Sequence, residues 1–356
     1  MKAAVCYEVN KPLVIEEVTM DSPGKGEVKV RIAATAICHS DIHSFKGEHG
    51  TPKLPAVGGH EVAGYVDEVG EGVTSVTPGD PVIVSLESSG CGKCYYCREK
   101  GLMMKCRHLK KYGHDSCEAP PHFTGGFAEY CYITPGTCVI KVPDNLTDEE
   151  VAPANCALAT VVAGWEAAAV KPFENVLIQG AGALGFYGAA LARHYGCGRI
   201  IVSDILDRRL EFIKAFGATD TLNVKGMSDD DTIRAVRDLT GGFGVDCVLE
   251  VAGIPNLIPP GLKCLRTGGR YVEIGNSSPG ANFTYDACDM VWRRLTLTGI
   301  HNYDAKHLQM GVDLLAMNRG VFPFKDLVTH RVNLDDINDG LRIADSGEAV
   351  RVAVLP

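Results

Sequence analysis

Asn175-Val176-Leu177-Ile178-Gln179-Gly180-Ala181-Gly182-Ala183-Leu184-Gly185 decides the fold of this chain. The first five residues form an apolar run too short for a helix and bounded by glycine, so they read as a buried strand. A G-x-G-x-x-G turn follows, then an apolar-periodic helix from about 186 to 194. In a strand–turn–helix unit such glycines make a tight turn and let the backbone approach a pyrophosphate, which the first helical amides face. Working outward, the runs at 199–203, 245–250, 270–274 and 295–298 alternate with helical stretches. That alternation predicts an α/β domain with a doubly wound parallel sheet. Asp204 ends the second strand nineteen residues after Gly185. An acidic side chain there accepts hydrogen bonds from ribose hydroxyls and repels a 2′-phosphate. NAD is therefore expected over NADP, although Arg208 and Arg209 are near enough to receive a phosphate in part. The plainer reading of Asp204 is a residue of the strand-end turn.

Upstream, from residue 1 to about 155, the texture differs. Short alternating or β-branched runs, such as 27–32 and 81–84, are separated by Gly and Pro turns, which predicts a β-rich, barrel-like domain. The part from about 300 onward carries a helix and a closing strand at 349–354 and is expected to return to the first domain. The expected division is thus 1–157 with 300–356, and 158–299.

The 356 residues are 46% hydrophobic and 22% charged, and the apolar stretch 156–170 is interrupted by Glu166, so it reads as a buried helix rather than a membrane span. The start Met1-Lys2-Ala3-Ala4-Val5-Cys6-Tyr7 reads as a strand without an export signal, and a soluble, cytoplasmic protein is expected. A net charge of −9 without a basic run argues against nucleic-acid or anionic-membrane partners.

Fourteen cysteines in so long a chain point to metal ligation and buried thiols rather than a disulfide scaffold. Cys91, Cys94, Cys97 and Cys106 combine two C-x-x-C steps with one nearby thiol, sufficient for a closed tetrahedral zinc site of structural role. A catalytic zinc needs about three protein ligands and an open position. Cys38 in Cys38-His39-Ser40-Asp41-Ile42-His43, His60 in Gly58-Gly59-His60-Glu61, and Cys156 in Ala152-Pro153-Ala154-Asn155-Cys156 supply such a set. Glu61 adjoins the metal, and Asp41 is placed to orient the His60 imidazole.

With these segments, the Gly125–Tyr130 run GGFAEY and the closing Gly347-Glu348-Ala349-Val350-Arg351, the chain resembles, over essentially its whole length, the zinc-containing alcohol dehydrogenases of the medium-chain dehydrogenase/reductase family. The resemblance implies a GroES-like catalytic domain, a Rossmann coenzyme domain and an active site in the cleft between them. It implies that Cys38, His60 and Cys156 hold the catalytic zinc with Glu61 beside it, and that Ser40 takes the proton from the zinc-bound alcohol. His43 would end the relay, His39 and Arg351 face the pyrophosphate, and Thr160 lie near the nicotinamide ring. Gly180, Gly182, Ala183, Leu184, Gly185, Asp204 and Arg209 would complete the coenzyme site. About two zinc ions per chain are expected, and a homodimer or homotetramer joined through the coenzyme domains, at the strand near 295–298.

Other readings stand beside these. Taken alone, Ser40 reads as a helix N-cap and His43 as a solvent-facing loop histidine. Phe45, Trp165 and Trp292 read as core, with Phe45 alternatively trimming the substrate pocket. His49, His108, His114, His122, His194, His301, His307 and His330 read as ordinary polar residues. The loop Arg98 to Lys105 is one residue longer than is usual in the family, and the stretch 109–122 has no assigned counterpart and is read as bordering the substrate cleft. As rival functions, a zinc-free quinone or enoyl reductase is disfavoured by both metal sets, and a polyol dehydrogenase by Cys156. A non-enzymatic zinc and nucleotide-binding protein is the rival of another class.

Overall fold

A computed structural model describes residues 1–48, 53–88, 90–118, 120 and 122–356 of the chain. His49 lies outside the described residues. The chain divides into two compact units, the first made of Met1–Cys156, Asp304–Arg319 and Phe324–Pro356, the second of Ala157–Tyr303 and Gly320–Pro323.

The first unit is built on a seven-stranded sheet. Its strands run in the order Val328–Asn333, Arg351–Leu355, Val28–Ile37, Glu61–Val69, Pro81–Val84 and Val139–Lys141, and Tyr130–Ile133 also pairs with Val28–Ile37. A smaller sheet joins Val14–Glu17, Lys2–Cys6 and Ala56–Val57. Val28–Ile37 organises the unit: Val28, Val30 and Ile32 enter one apolar cluster with Val62, Val66, Val82 and Ile133, while Ile37 enters a second with Phe127, Val352 and Val354. Strand register then fixes the neighbourhood of one sheet end. Ala36 stands opposite Glu61 on one side and Ala353 on the other, so Cys38 just after its strand, His60 just before its own and Arg351 at the start of the third lie at one sheet end.

The second unit carries a six-stranded, wholly parallel sheet in the order Asp220–Asn223, Ile200–Asp204, Val176–Gln179, Val245–Glu250, Leu265–Glu273 and Thr296–Gly299. Its central strand Val176–Gln179 is buried throughout, as a strand covered on both faces must be. Leu177, Ile201, Val248 and Tyr271 pack with Ile233, Val236 and Leu262 from the helices. Ala157–Ala168, expected as a buried helix, is one, with only its Glu166-Ala167 corner exposed. Trp165 is core, but Trp292 is not: it is 80% exposed beside Val291 at 72%. It stands on the short helix Ala287–Trp292, which leads to the edge strand Thr296–Gly299, and sequence does not reveal which strand is an edge.

Among the described residues, no helix is long and apolar enough to cross a membrane.

Candidate metal centre and dinucleotide turn

Cys38 follows the strand Val28–Ile37 and serves as N-cap of the helix His39–Phe45, so Ser40 is not the cap but sits inside the first turn. Asp41, in that turn, reaches back: its Oδ2 accepts the Cys38 amide at 2.9 Å and its Oδ1 accepts His60 Nδ1 at 2.9 Å. Both Asp41 and His60 are only 2% exposed. With Nδ1 committed to donating, His60 offers Nε2 as its lone-pair nitrogen. Asn155 fixes the same region from another side, donating through Nδ2 to the carbonyls of His60 and Val84.

One ligand atom from each of Cys38, His60, Glu61 and Cys156 lies within 4.8 Å of all the others. The chemistry of this set fits a zinc ion. The two sulfurs are 3.9 Å apart. The hydrogen bond from Cys156, with Arg351 and His60, holds the Cys38 thiol well below the usual range against the opposing effect of burial. Cys156 is pushed well above it by Cys38 and by burial. His60 is raised by Asp41 and Cys38 although burial opposes the charge. Glu61 is fully buried, and neither of its oxygens accepts a hydrogen bond among the described residues. Burial raises its carboxyl and Arg351 opposes that. A buried carboxylate with only the Arg351 guanidinium beside it, next to two sulfurs and an imidazole, is a donor set that suits a cation.

Arg351, expected at a pyrophosphate, is 3% exposed; its Nη2 lies 3.2 Å from Glu61 Oε1 and its Nη1 donates to the Ile37 carbonyl at 3.2 Å. That contact spans the register of the sheet and has no local signature in sequence. Ser40 Oγ is 3.5 Å from His60 Nε2. His43 lies on the helix rather than in a loop, half-exposed, with Nδ1 2.5 Å from Glu48 Oε2, a partner that sequence reading did not single out. His39 is exposed at the first helical position.

The unassigned stretch 109–122, of which residues 119 and 121 are outside the described set, is pinned beside this centre. A Cβ on Gly113 would lie 2.8 Å from the Gly59 carbonyl, and one on Gly125 would collide with the Val57 carbonyl, so three backbone segments touch directly. His114 is thereby held with its ring centroid 6.4 Å from that of His60. Phe45 stacks on Phe127 at 6.3 Å and packs against the core.

Cys91, Cys94, Cys97 and Cys106 also bring one sulfur each within 4.8 Å of the others. Cys94 Sγ is 3.4 Å from Cys97 Sγ and 3.8 Å from Cys106 Sγ, and the amides of Cys91 and His108 point at Cys106 Sγ at 3.3 Å. The backbone amide of Cys97 draws the Cys94 thiol down to about 6, whereas burial pushes Cys97 up to about 12. A Cβ on Gly90 would sit 2.7 Å from Cys97 Sγ, so the loop closes on the sulfurs. Four thiols converging without disulfides suit a closed tetrahedral site.

In the second unit, Gly180 adopts φ +110°, and a Cβ on Gly185 would strike the Gly180 carbonyl, so the turn and the helix Ala183–His194 pack main chain to main chain. The Gly182 Cβ direction is open, leaving the helix N-terminus with Ala183 and Leu184 accessible to an anion. Asp204 binds the turn itself: Oδ2 accepts the Ala181 amide at 2.7 Å, and Oδ1 accepts those of Ile205 and Leu206. Arg209 is half-buried nearby; burial lowers its pKa and Asp204 opposes that. Thr160 is buried in the helix Ala157–Ala168.

Comparison with known proteins agrees with this chemistry. The family model described as alcohol dehydrogenase GroES-like domain matches residues 24–144, and that described as zinc-binding dehydrogenase matches 183–317. An alcohol dehydrogenase of Geobacillus stearothermophilus is 33% identical over 349 residues, covering 98% of this chain and 96% of that one. Among solved structures, an alcohol dehydrogenase from Thermotoga maritima superposes with a TM-score of 0.94 at 31% identity, covering 100% of this chain and 99% of that one. A putative zinc-binding dehydrogenase from Sinorhizobium meliloti bound to NADP gives 0.90 at 26% identity, covering 100% and 99%. The chain belongs to the zinc-dependent alcohol dehydrogenases of the medium-chain dehydrogenase/reductase family.

Proposed function

We propose that the chain interconverts a small primary or secondary alcohol and its aldehyde or ketone by hydride transfer with NAD, the first unit carrying catalysis and the second the coenzyme. The convergence of Cys38, His60, Glu61 and Cys156 carries this reading. Zinc held by Cys38, His60 and Cys156 supplies the Lewis acidity that lets an alcohol give up its proton near neutral pH. Asp41 keeps the His60 imidazole in the tautomer that ligates. Ser40 Oγ, beside His60 Nε2, receives the alcohol proton. His43 passes it on, its Nδ1 donating to Glu48 so that Nε2 is the accepting nitrogen. Arg351 balances the buried Glu61 charge. The four-cysteine lobe holds a second, structural zinc.

Gly180, Gly182, Ala183, Leu184 and Gly185 receive the pyrophosphate, with His39 as an additional basic contact, Thr160 near the nicotinamide and Arg209 near the adenosine end. Asp204 favours NAD, since a 2′-phosphate beside its carboxylate would be repelled. Self-association through the edge strand Thr296–Gly299 is supported by the exposed Val291 and Trp292.

The test is an initial-rate screen of small alcohols and aldehydes with NAD(H) and NADP(H), on protein whose zinc content is measured. Substrate-dependent NADH formation with about two zinc ions per chain is expected. Fully zinc-loaded protein inert across the panel would overturn the enzymatic reading in favour of a binding protein.

A further inference from the structure

Glu250 closes the strand Val245–Glu250, Glu273 closes Leu265–Glu273, and the two stand opposite each other in the parallel register. Glu250 is completely buried. Its Oε1 accepts the amides of Ala252 and Gly253, each at 2.9 Å, and its Oε2 accepts Asn276 Nδ2 at 3.2 Å. Glu273 Oε1 accepts both the main-chain amide and Nδ2 of Asn276 at 2.9 Å. Glu273 Oε2 is buried and, among the described residues, accepts nothing. The Tyr271 phenol, which donates to Gln179 Oε1 at 2.8 Å, also faces the pair. No basic side chain of the described residues pairs with either carboxylate.

Two carboxylates set opposite each other, one of them completely buried, repel, and the buried one resists ionisation. One proton shared between them removes the repulsion and supplies the partner that Glu273 Oε2 lacks. Burial, then the neighbouring Glu273, push the Glu250 carboxyl up to about 8, so the proton is kept through neutral pH.

The residues tied by this pair lie where an open α/β sheet binds ligands. Val176–Gln179 and Val245–Glu250 are neighbours at the point where the strand order reverses, and loops leave their carboxyl ends there. A Cβ on Gly180 would sit 2.9 Å from the Ala252 amide nitrogen, and one on Gly275 would collide with the Gly253 amide. The glycine turn, the loop at 251–253 and the loop at 274–277 are therefore stacked backbone on backbone, with the carboxyl pair beneath two of them.

We propose that Glu250 and Glu273 are positioning residues for the coenzyme: they share one proton, and that proton holds the loops at 251–253 and 274–277 in the arrangement that receives the dinucleotide. This rests on the coenzyme assignment of the second unit made above. Loss of the proton leaves two adjacent charges, one of them completely buried, that push the loops apart, and dinucleotide affinity falls. Glu273→Gln places an amide N–H where the shared proton was, and pH cannot remove it.

The experiment follows NADH binding by fluorescence titration from pH 6 to pH 9.5 in the wild type and Glu273→Gln. If only the protonated pair binds, the wild-type Kd scales as 1 + 10^(pH − 8) and rises about tenfold from pH 7 to pH 9. In Glu273→Gln the rise is expected to be less than about threefold. An equal rise in both proteins overturns the proposal. Melting of the coenzyme-free proteins decides the shared proton separately. A carboxyl raised in the folded state retains a proton that the unfolded chain has released, so wild-type stability falls as pH rises from about 5 to about 8 and is level above that. The Tm advantage of Glu273→Gln should widen through that window and then stay constant; a constant difference throughout overturns the shared proton. Should Glu273→Gln not fold, Glu250→Gln carries the same neutral amide on the other strand, with the same expectations. Failure of the wild type to bind NADH or NADPH at pH 7 would overturn the coenzyme assignment and the positioning role together, whatever the melting curves show.

Discussion

Replacing Asp41 by Ala removes two buried hydrogen bonds at once, one to His60 Nδ1 and one to the Cys38 amide, each 2.9 Å long. Each donor left unpaired in a buried site costs about 1–3 kcal/mol, giving an upper bound of roughly 2–6 kcal/mol against the ligand-competent arrangement. Two effects reduce this. The variant no longer pays the desolvation of a buried carboxylate, and water can enter the vacated space. Removing a partner that orients a metal-ligating histidine typically lowers metal affinity about 10–100-fold, or roughly 1.4–2.7 kcal/mol, and the expected loss lies in that range. Asp41→Asn should fall between: its amide oxygen still accepts from His60, but its amide nitrogen meets the Cys38 N–H donor head-on. The assay is competition for zinc against a chromogenic chelator, with circular dichroism to establish that each variant is folded. Zinc retention by a folded Asp41→Ala protein within about twofold of the wild type would refute the reasoning, because Asp41 would then not hold the ligands in place.

Asp204→Ala should shift coenzyme preference toward NADP, measured as the ratio of kcat/KM with the two coenzymes, and an unchanged ratio would remove Asp204 from that role. Because its carboxylate also accepts three loop amides, affinity for NAD should fall as well. Phe45→Ala should cost about 2–3 kcal/mol in a denaturant melt, below the range for a fully buried phenylalanine because Phe45 is only half-buried against Phe127. A broadened alcohol range without loss of stability would return Phe45 to the pocket. Cys97→Ser should release about one zinc per chain and loosen the 90–106 lobe, read as local loss of hydrogen-exchange protection, with the other metal retained. Trp292→Glu should lower the oligomeric state seen by sedimentation, and an unaltered assembly would exclude that face.

The glycine turn and the strands at 176–179, 200–204 and 245–250 could be read because parallel strands covered on both faces are continuous apolar runs. Asp220–Asn223 escaped the same reading: as an edge strand of polar, half-buried residues, it carries no such run. Both metal sets were legible because ligand chemistry restricts residue type and spacing. The Glu61–Arg351 contact was not, since its partners are joined only by the register of strands distant in sequence. Asn155, in the APANC run beside Cys156, has no ligand chemistry to mark it, yet its amide holds the His60 carbonyl. The exposure of Trp292 depends on which strand ends the sheet, a property of topology rather than composition.

The contacts of Gly113 with Gly59 and of Gly125 with Val57 have a consequence for how this protein can vary. The main chain leading to His60 is braced by peptide groups, whose shape is the same in every sequence, so the apolar side chains packed around it can vary while Asp41 and Asn155 keep the imidazole and the His60 carbonyl in place. Tolerance there is bought at two fixed points: a single methyl group added at residue 113 or 125 would shift the imidazole.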